Sequence, residues 1–246
     1  MTNATPASAA GAQRRADDLQ RALRAIAAEH APAALASSLG AEDMVLTDAI
    51  LGGGIPIEIF TLDTGRLHPE TLSMLERVRE RYGYEIRVYE PDANAVKRYV
   101  SELGLDAIYR SVELRRRCCE IRKVEPLGRA LAGKSAWITG LRRTQSVTRA
   151  DLPLKEFDPA YGLWKFNPMA EWSEREVWEY LRSRDVPYNP LHDRGFRSIG
   201  CVPCTRPIAA GEDLRAGRWW WEDAQTKECG LHQRPKDEVH AGSQRA

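Results

Sequence analysis

Residues 33–46, AALASSLGAEDMVL, contain the change from strand to helix that decides the fold. Residues 33–36 are small and apolar and predict a strand, which runs into the loop 37–41. Glu42 and Asp43 then open a helix that continues to residue 51, since acidic side chains are favourable in a first turn. Backbone N–H groups at this helix start predict an oxyanion cradle, and an ordinary strand–helix turn is the alternative.

The same alternation of strands and helices continues through most of the chain. Helices are predicted over 14–30, 68–82, 92–103 and 112–132, and strands over 55–62, 84–89, 135–139 and 162–167. Ser173, with Glu176 three residues later, predicts the capped start of a further helix. This order favours an α/β fold, a single domain with a parallel sheet flanked by helices.

The fold prediction also places a binding site. Ligands of open α/β sheets bind beyond the carboxyl ends of the strands, where the loops 37–41, 63–66 and 140–149 fall. In the last of these loops, Gly140 would let a ligand approach the backbone. Arg142 and Arg143 follow it and can pair with oxyanions, although a solvated basic loop is the alternative.

Composition limits the classes of protein to be considered. The net charge is +1 in 246 residues, which gives no reason to invoke nucleic acid or a membrane. No signal-peptide core is present in the first residues, and five cysteines are too few for a secreted disulfide scaffold. We therefore expect a cytoplasmic protein with a disordered tail at 1–13, one domain over 14–221 and a mobile segment at 222–246.

Two neighbouring cysteines, Cys118 and Cys119, lie in the basic stretch RRCCEIRK at 116–123. Adjacent Cα atoms are about 3.8 Å apart, below the usual disulfide range of roughly 4.4–6.8 Å. The pair therefore needs other partners, and Cys201 and Cys204 offer a C-x-x-C motif. Together the four thiols can hold zinc or an iron–sulfur cluster, which spacing alone does not separate. Four unrelated buried thiols are the alternative.

The fifth cysteine, Cys229, lies in KECGLH at 227–232. A thiol beside a lysine and a histidine can have a lowered pKa and act as a nucleophile. A surface cysteine without function is the alternative. In the earlier basic stretch, Lys123 follows Cys119 by four residues, which predicts that the two side chains share a helical face.

Taken together, these motifs resemble the assimilatory APS/PAPS reductase family, and within it the bacterial reductases of adenylyl sulfate (APS). The similarity extends from Ser37 to His232. Its markers are SSLGAEDMV at 37–45, LDTGRLHPET at 62–71, RCCEIRKVEPL at 117–127, WITGLRRTQSVTR at 137–149, GCVPC at 200–204 and ECGLH at 228–232. The resemblance implies an adenine-nucleotide alpha-hydrolase-like fold. Leu39 departs from the Ser-Gly-Gly-x-Asp pattern of the related ATP pyrophosphatases.

The resemblance also implies roles for particular residues. Cys229 would be the nucleophile. A [4Fe–4S] cluster would be ligated by Cys118, Cys119, Cys201 and Cys204. The predicted substrate-binding residues are Ser37, Ser38, Gly40, Leu62, Lys123, Gly140, Arg142, Arg149, Arg215, Arg218 and His232. Within that set, Lys123, Arg149, Arg215 and Arg218 would face the phosphate and the sulfate.

The implied reaction is the thioredoxin-dependent reduction of APS to sulfite and AMP, in sulfate assimilation and cysteine biosynthesis. The Cys229 thiolate would form an S-sulfo intermediate, and thioredoxin or glutaredoxin would release sulfite. A homo-oligomer is possible. One alternative is a reductase of phosphoadenylyl sulfate (PAPS), or of both substrates. More remote alternatives are an adenylating enzyme of the ATP pyrophosphatase type and a zinc module that binds nucleic acid.

Overall fold

Strands and helices alternate in the computed structural model, which describes residues 6–223, 227 and 231. The strands are β1 (Ala33–Ala36), β2 (Glu58–Leu62), β3 (Arg87–Tyr89), β4 (Ala136–Ile138), β5 (Lys155–Asp158) and β6 (Leu163–Phe166). The α-helices are α1 (Pro6–Glu29), α2 (Ala41–Gly52), α3 (Pro69–Tyr82), α4 (Ala93–Leu103), α5 (Val112–Cys119), α6 (Glu125–Leu131) and α7 (Glu174–Ser183). Within the described ranges, no helix has the length and apolar character needed to cross a membrane.

The six strands form one sheet in the order β3-β2-β1-β4-β6-β5. All neighbouring strands are parallel except β5 and β6, which are antiparallel. The predicted α/β domain with a mainly parallel sheet is therefore confirmed. In chain order, β2 and β3 are added to the sheet on one side of β1, and β4 then pairs with β1 on its other side. This reversal of direction opens a crevice at the carboxyl ends of β1 and β4.

Helices cover both faces of the sheet, and the central strand β1 shows why. Leu35 packs into the cluster formed with α1, α2 and α7, whereas Ala34 packs on the opposite face against α6. Both side chains are fully buried. A strand buried on both faces reads as an uninterrupted apolar run, which is the pattern of residues 33–36.

Several element boundaries differ from the sequence-based expectation. Helix α1 begins at Pro6 rather than at residue 14, because proline suits a first helical turn and the alanines that follow favour a helix. Strand β5 was not predicted. It is a short edge strand whose exposed and half-buried residues alternate, and a turn at Tyr161 and Gly162 returns the chain into β6.

The predicted helix over 112–132 is divided into three parts. A π-helical turn, Glu120–Val124, separates α5 from α6. Such turns add a residue to the helical repeat and occur often at functional sites. Here the turn lies directly after Cys119 and contains Lys123, so the register between these two residues is not that of a regular α-helix.

Candidate functional site

A cavity of about 230 Å³ opens at the carboxyl ends of β1 and β4. It is lined by all the predicted substrate-binding residues that lie in the described part of the chain: Ser37, Ser38, Gly40, Leu62, Lys123, Gly140, Arg142, Arg149, Arg215 and Arg218. We call this space the nucleotide cavity. Two further predicted residues, Cys229 and His232, lie outside the described residues.

Asp43, in the first turn of α2, holds the loop between β1 and α2. Its carboxylate accepts hydrogen bonds from the backbone nitrogen and the hydroxyl group of Ser38, both at 2.6 Å. Burial raises the pKa of Asp43 to about 6, although the bonds from Ser38 oppose the shift. Leu39 adopts a positive φ of 60° and is fully buried. The loop therefore has one tightly held conformation, in which a bulky residue occupies a backbone region that usually favours glycine.

The end of β4 meets this loop at Gly140. A Cβ atom at this position would lie 2.9 Å from Glu42 Cβ and 3.2 Å from the backbone nitrogen of Asp43. The neighbouring Thr139 hydroxyl donates a 2.5 Å hydrogen bond to Asn167, which fixes the strand end. Gly140 thus allows the two loops to approach closely enough to form one wall of the cavity.

Arg142 is bound to other residues of the protein. Its Nε donates a 2.8 Å hydrogen bond to Glu42 in α2, and its Nη1 donates to Thr144. Gln145 connects the same carboxylate to Arg149. Its amide nitrogen donates a hydrogen bond to Glu42 at 3.0 Å, and its amide oxygen accepts one from Arg149 at 2.6 Å. Arg142 therefore fixes the basic loop, and Arg149 is oriented through Gln145.

Three cationic side chains lie on another side of the nucleotide cavity. Lys123, Arg215 and Arg218 all line it, and both guanidinium groups lie over the ring of Trp219, at 5.8 Å and 4.6 Å. Arg218 also donates to the carbonyl oxygen of Ile199 at 3.3 Å. This side of the cavity combines positive charge with partial burial, which favours oxyanions.

Lys227 and Leu231 are the described residues on either side of position 229 in the sequence. Arg215 donates a 2.8 Å hydrogen bond to the carbonyl oxygen of Lys227. Leu231 lines the nucleotide cavity and packs against two of the buried apolar clusters. Both residues therefore contact the cavity or the arginine that borders it.

The four predicted metal-ligating cysteines are brought together. Cys118, Cys119, Cys201 and Cys204 are buried, are not in disulfide bonds and line one small cavity, which we call the thiol cavity. Desolvation raises the pKa of Cys118, and it raises the pKa of Cys204 to about 11, with the Cys201 thiol contributing to both shifts. Thr64 Oγ1 lies 3.1 Å from Cys201 Sγ.

Positive side chains surround the thiol cavity. Its cationic lining residues are Arg66, Arg115, Arg122 and Lys123. Lys123 and Trp219 line both cavities and so connect the thiols to the nucleotide cavity. Among the residues that the structure describes, no group of three or more His, Cys, Asp or Glu side chains is arranged to hold a metal ion.

The structure adds a cavity wall that sequence reasoning missed. Trp178 of α7 and His192, in the short 3₁₀ helix Pro190–Arg194, line the nucleotide cavity. No periodic pattern marks this stretch. The available signal was Asn189-Pro190, which predicts a capped turn shortly before the C-x-x-C motif.

Comparison with known proteins gives consistent matches. Residues 32–207 match the family described as the phosphoadenosine phosphosulfate reductase domain. A Burkholderia cepacia protein named adenosine 5'-phosphosulfate reductase is 61% identical over 231 residues, covering 94% of this chain and 91% of the relative. A protein of the same name from Allochromatium vinosum is 62% identical over 199 residues, covering 81% of this chain and 78% of the relative.

Solved structures show the same fold. The phosphoadenylyl-sulfate reductase of Candida auris, in a phosphate complex, superposes with a TM-score of 0.66 at 24% identity, covering 83% of this chain and 99% of that chain. The FMN adenylyltransferase of Candida glabrata superposes with a TM-score of 0.59 at 16% identity, covering 93% of this chain and 78% of that chain.

Proposed function

This chain belongs to the phosphoadenosine phosphosulfate reductase domain family, and from that membership we propose that it reduces APS to sulfite and AMP. Relatives that are 47–62% identical carry the name adenosine 5'-phosphosulfate reductase. The observation that carries the proposal is the pair of adjoining cavities, one lined by the predicted substrate-binding residues and the other by four cysteines.

The cationic side of the nucleotide cavity would hold the phosphosulfate end of APS. A thiolate and a sulfate group are both negatively charged and repel each other. Their reaction therefore requires positive charge around the sulfate oxygens. Lys123, Arg215 and Arg218 supply that charge from the wall shared with Trp219. The same groups would stabilise the charge that develops on the phosphate as AMP departs.

We further propose Cys229 as the nucleophile. Its thiolate attacks the sulfate sulfur, an S–S bond forms, and the S–O bond to AMP breaks with its electron pair leaving on the phosphate oxygen. A thiolate of a protein dithiol, of the thioredoxin or glutaredoxin type, then attacks the Cys229 sulfur, and sulfite leaves. The second thiol of the reductant resolves the mixed disulfide. The contacts of Lys227 and Leu231 with Arg215 and the cavity support this assignment.

The four cysteines of the thiol cavity would hold a [4Fe–4S] cluster. Buried thiols with cationic neighbours are a suitable donor set, because a metal–thiolate group is negatively charged and its ligands must be deprotonated. When bound, the cluster would contribute its charge to the neighbouring cavity and would cross-link α5 to residues 201–204. Independently of it, Lys123 extends from the π-helical turn to the nucleotide cavity. Cytoplasmic location and homo-oligomer formation remain predictions.

Trapping the intermediate tests the proposal directly. Protein incubated with APS and no reductant should gain the mass of one SO₃ group on the peptide that contains Cys229, and one equivalent of AMP should appear. The Cys229→Ser variant is the matched control and should give neither product. If wild-type protein releases AMP without a sulfonated peptide, the proposed mechanism is wrong. If the protein releases sulfite much faster from PAPS than from APS, its substrate is PAPS and the APS proposal is wrong.

A further inference from the structure

His192 is a half-buried side chain whose two ring nitrogens are both shielded from solvent. Within the part of the chain that the structure describes, neither its Nδ1 nor its Nε2 has a hydrogen-bond partner. The backbone of Phe196 is close enough to influence the pKa of the ring but forms no hydrogen bond of acceptable geometry with it. Buried polar atoms are almost always satisfied, so an orphaned imidazole in a cavity indicates a missing partner.

The ring of His192 is held at the wall of the nucleotide cavity. It packs edge-to-face on Trp178 with ring centroids 5.2 Å apart. The turn that carries it is anchored by Asn189, which caps Leu191 through its side-chain oxygen and donates to Thr71 at 2.9 Å. Because both the turn and the ring are fixed, a ligand in the cavity would meet the nitrogens in a constant position.

The surroundings of His192 disfavour an anionic ligand group. Burial lowers the pKa of the ring, while the nearby carboxylates of Glu42, Asp193 and Glu174 oppose that shift. A neutral imidazole offers one donor and one acceptor. Phosphate and sulfate are better placed on the side of the cavity that carries Lys123. The ring is therefore suited to a neutral group that can both donate and accept.

We propose that His192 hydrogen-bonds a ribose hydroxyl group of the bound nucleotide. The inference rests on the proposed function, since it takes the ligand to be a nucleotide whose oxyanions lie at the cationic side. A hydroxyl both donates and accepts, which matches the neutral ring. A ligand without that hydroxyl would leave the imidazole without a hydrogen-bond partner. The resulting loss of binding free energy discriminates strongly between substrates.

A binding cycle with the reaction product tests this assignment. Calorimetry would measure the dissociation constants of AMP, 2'-deoxy-AMP and 3'-deoxy-AMP for wild-type protein and for His192→Phe. We expect one deoxy analogue to bind wild-type protein about 5- to 100-fold more weakly than AMP. In His192→Phe, the affinity for AMP should fall by a similar factor. The difference in affinity between AMP and that deoxy analogue, which we call the deoxy penalty, should disappear. His192→Gln, which keeps a donor and an acceptor, should retain part of the penalty.

His68→Phe is the matched control. Among the described residues, Nε2 of His68 likewise has no hydrogen-bond partner, and the ring packs edge-to-face on that of Phe196. His68 does not line the nucleotide cavity. In His68→Phe, the loss of affinity from AMP to each deoxy analogue should equal that of wild-type protein. If wild-type protein binds AMP and the His192 variants keep the full penalties, the assignment to ribose is wrong while the proposed function stands. Wild-type protein that binds neither AMP nor APS would overturn both.

Discussion

Gly140 and Asp43 lie against each other, and no side chain fits between them. A Cβ atom at Gly140 would be 3.2 Å from the backbone nitrogen of Asp43 and 2.9 Å from Glu42 Cβ. The Asp43 carboxylate in turn holds Ser38 through two hydrogen bonds. This contact joins the carboxyl end of β4 to the loop after β1, so the shape of the nucleotide cavity depends on it.

We predict that Gly140→Ala weakens AMP binding by at least about tenfold and costs about 1–3 kcal/mol in the free energy of unfolding. The added methyl group would displace Asp43, which would release Ser38. Calorimetric titration with AMP and urea unfolding measure the two effects. Gly128→Ala is the control: its methyl group would meet only Tyr161 Cε1 at 3.9 Å. Since alanine favours the helix, that variant should gain about 0.5–1 kcal/mol. Unchanged AMP affinity in Gly140→Ala would contradict the prediction.

The buried carboxyl group of Asp43 makes stability depend on pH. Its pKa is about 6 in the folded protein against 3.8 as the ordinary value. The native state therefore holds more protons than the unfolded chain between these values, and stability falls as pH rises. This contribution is fully present below pH 3.8 and is lost as pH rises to about 6, with a slope of at most about 1.4 kcal/mol per pH unit.

Asp43→Asn should remove that slope, because an amide does not titrate. The free energy of unfolding, measured by urea titration at several pH values between 4 and 7, should fall less steeply in the variant than in wild-type protein. Asp18→Asn, at an exposed position of α1, is the matched control and should follow the wild-type curve. Parallel curves for wild type and Asp43→Asn would show that the carboxyl group does not titrate in this range.

Arg115 and Glu222 form a buried ion pair across 107 residues of sequence, with hydrogen bonds of 2.5 Å and 2.9 Å. Arg115→Met would deprive the carboxylate of Glu222, in the interior, of these two hydrogen bonds and of the paired positive charge. We predict a loss of about 3–5 kcal/mol in the free energy of unfolding. The double variant Arg115→Met/Glu222→Leu should recover most of that loss, because it removes the second charge as well.

Urea unfolding of these variants, with Arg129→Met as a control, tests the prediction. Arg129 pairs with Glu125 on the surface of α6, and breaking an exposed pair should cost less than about 1 kcal/mol. If the double variant is as unstable as Arg115→Met, the penalty does not come from the Glu222 carboxylate that has lost Arg115.

Sequence patterns predicted the central part of the fold well. β1 and α2 were expected at 33–36 and up to residue 51, and they are observed at Ala33–Ala36 and Ala41–Gly52. Burial on both faces of the sheet and the acidic first turn leave clear signals there. Strand β5 leaves none, since it has four residues and pairs only with β6 at the sheet edge. Its position depends on a tertiary contact that no local pattern encodes.

The site was predictable where it follows from the fold, and less so where it depends on side-chain partners. The rule for carboxyl ends brought Ser37 and Gly140 together correctly. The same reasoning placed Arg142 at the cavity, which it lines, but did not predict that its guanidinium group is bound to Glu42, 100 residues earlier in the chain. His192 was missed because its turn lacks periodicity. In both cases the decisive information is a long-range contact.

The cysteines allow the cofactor proposal to be separated from the catalytic one. We predict that wild-type protein purified without oxygen contains iron and absorbs broadly in the visible range. Cys201→Ser should lose both, because a thiolate ligand is removed from the thiol cavity. Cys229→Ser should keep the iron and the absorption but form no sulfite from APS. Metal analysis, visible spectra and sulfite release from APS with a reduced dithiol protein measure the three properties on the same samples.

The two variants should differ in their iron content: Cys201→Ser should lose the metal, whereas Cys229→Ser should keep it and lose activity. Cys201 lies in the thiol cavity beside Thr64 and Trp219, so its loss should act on the metal first and on activity only as a consequence. Iron retained at the wild-type level in Cys201→Ser would remove this residue from the ligand set. A colourless wild-type protein that contains zinc would instead support the zinc alternative, because four thiolates suit that ion as well. Sulfite formation by Cys229→Ser would place the nucleophile elsewhere, whichever metal is bound.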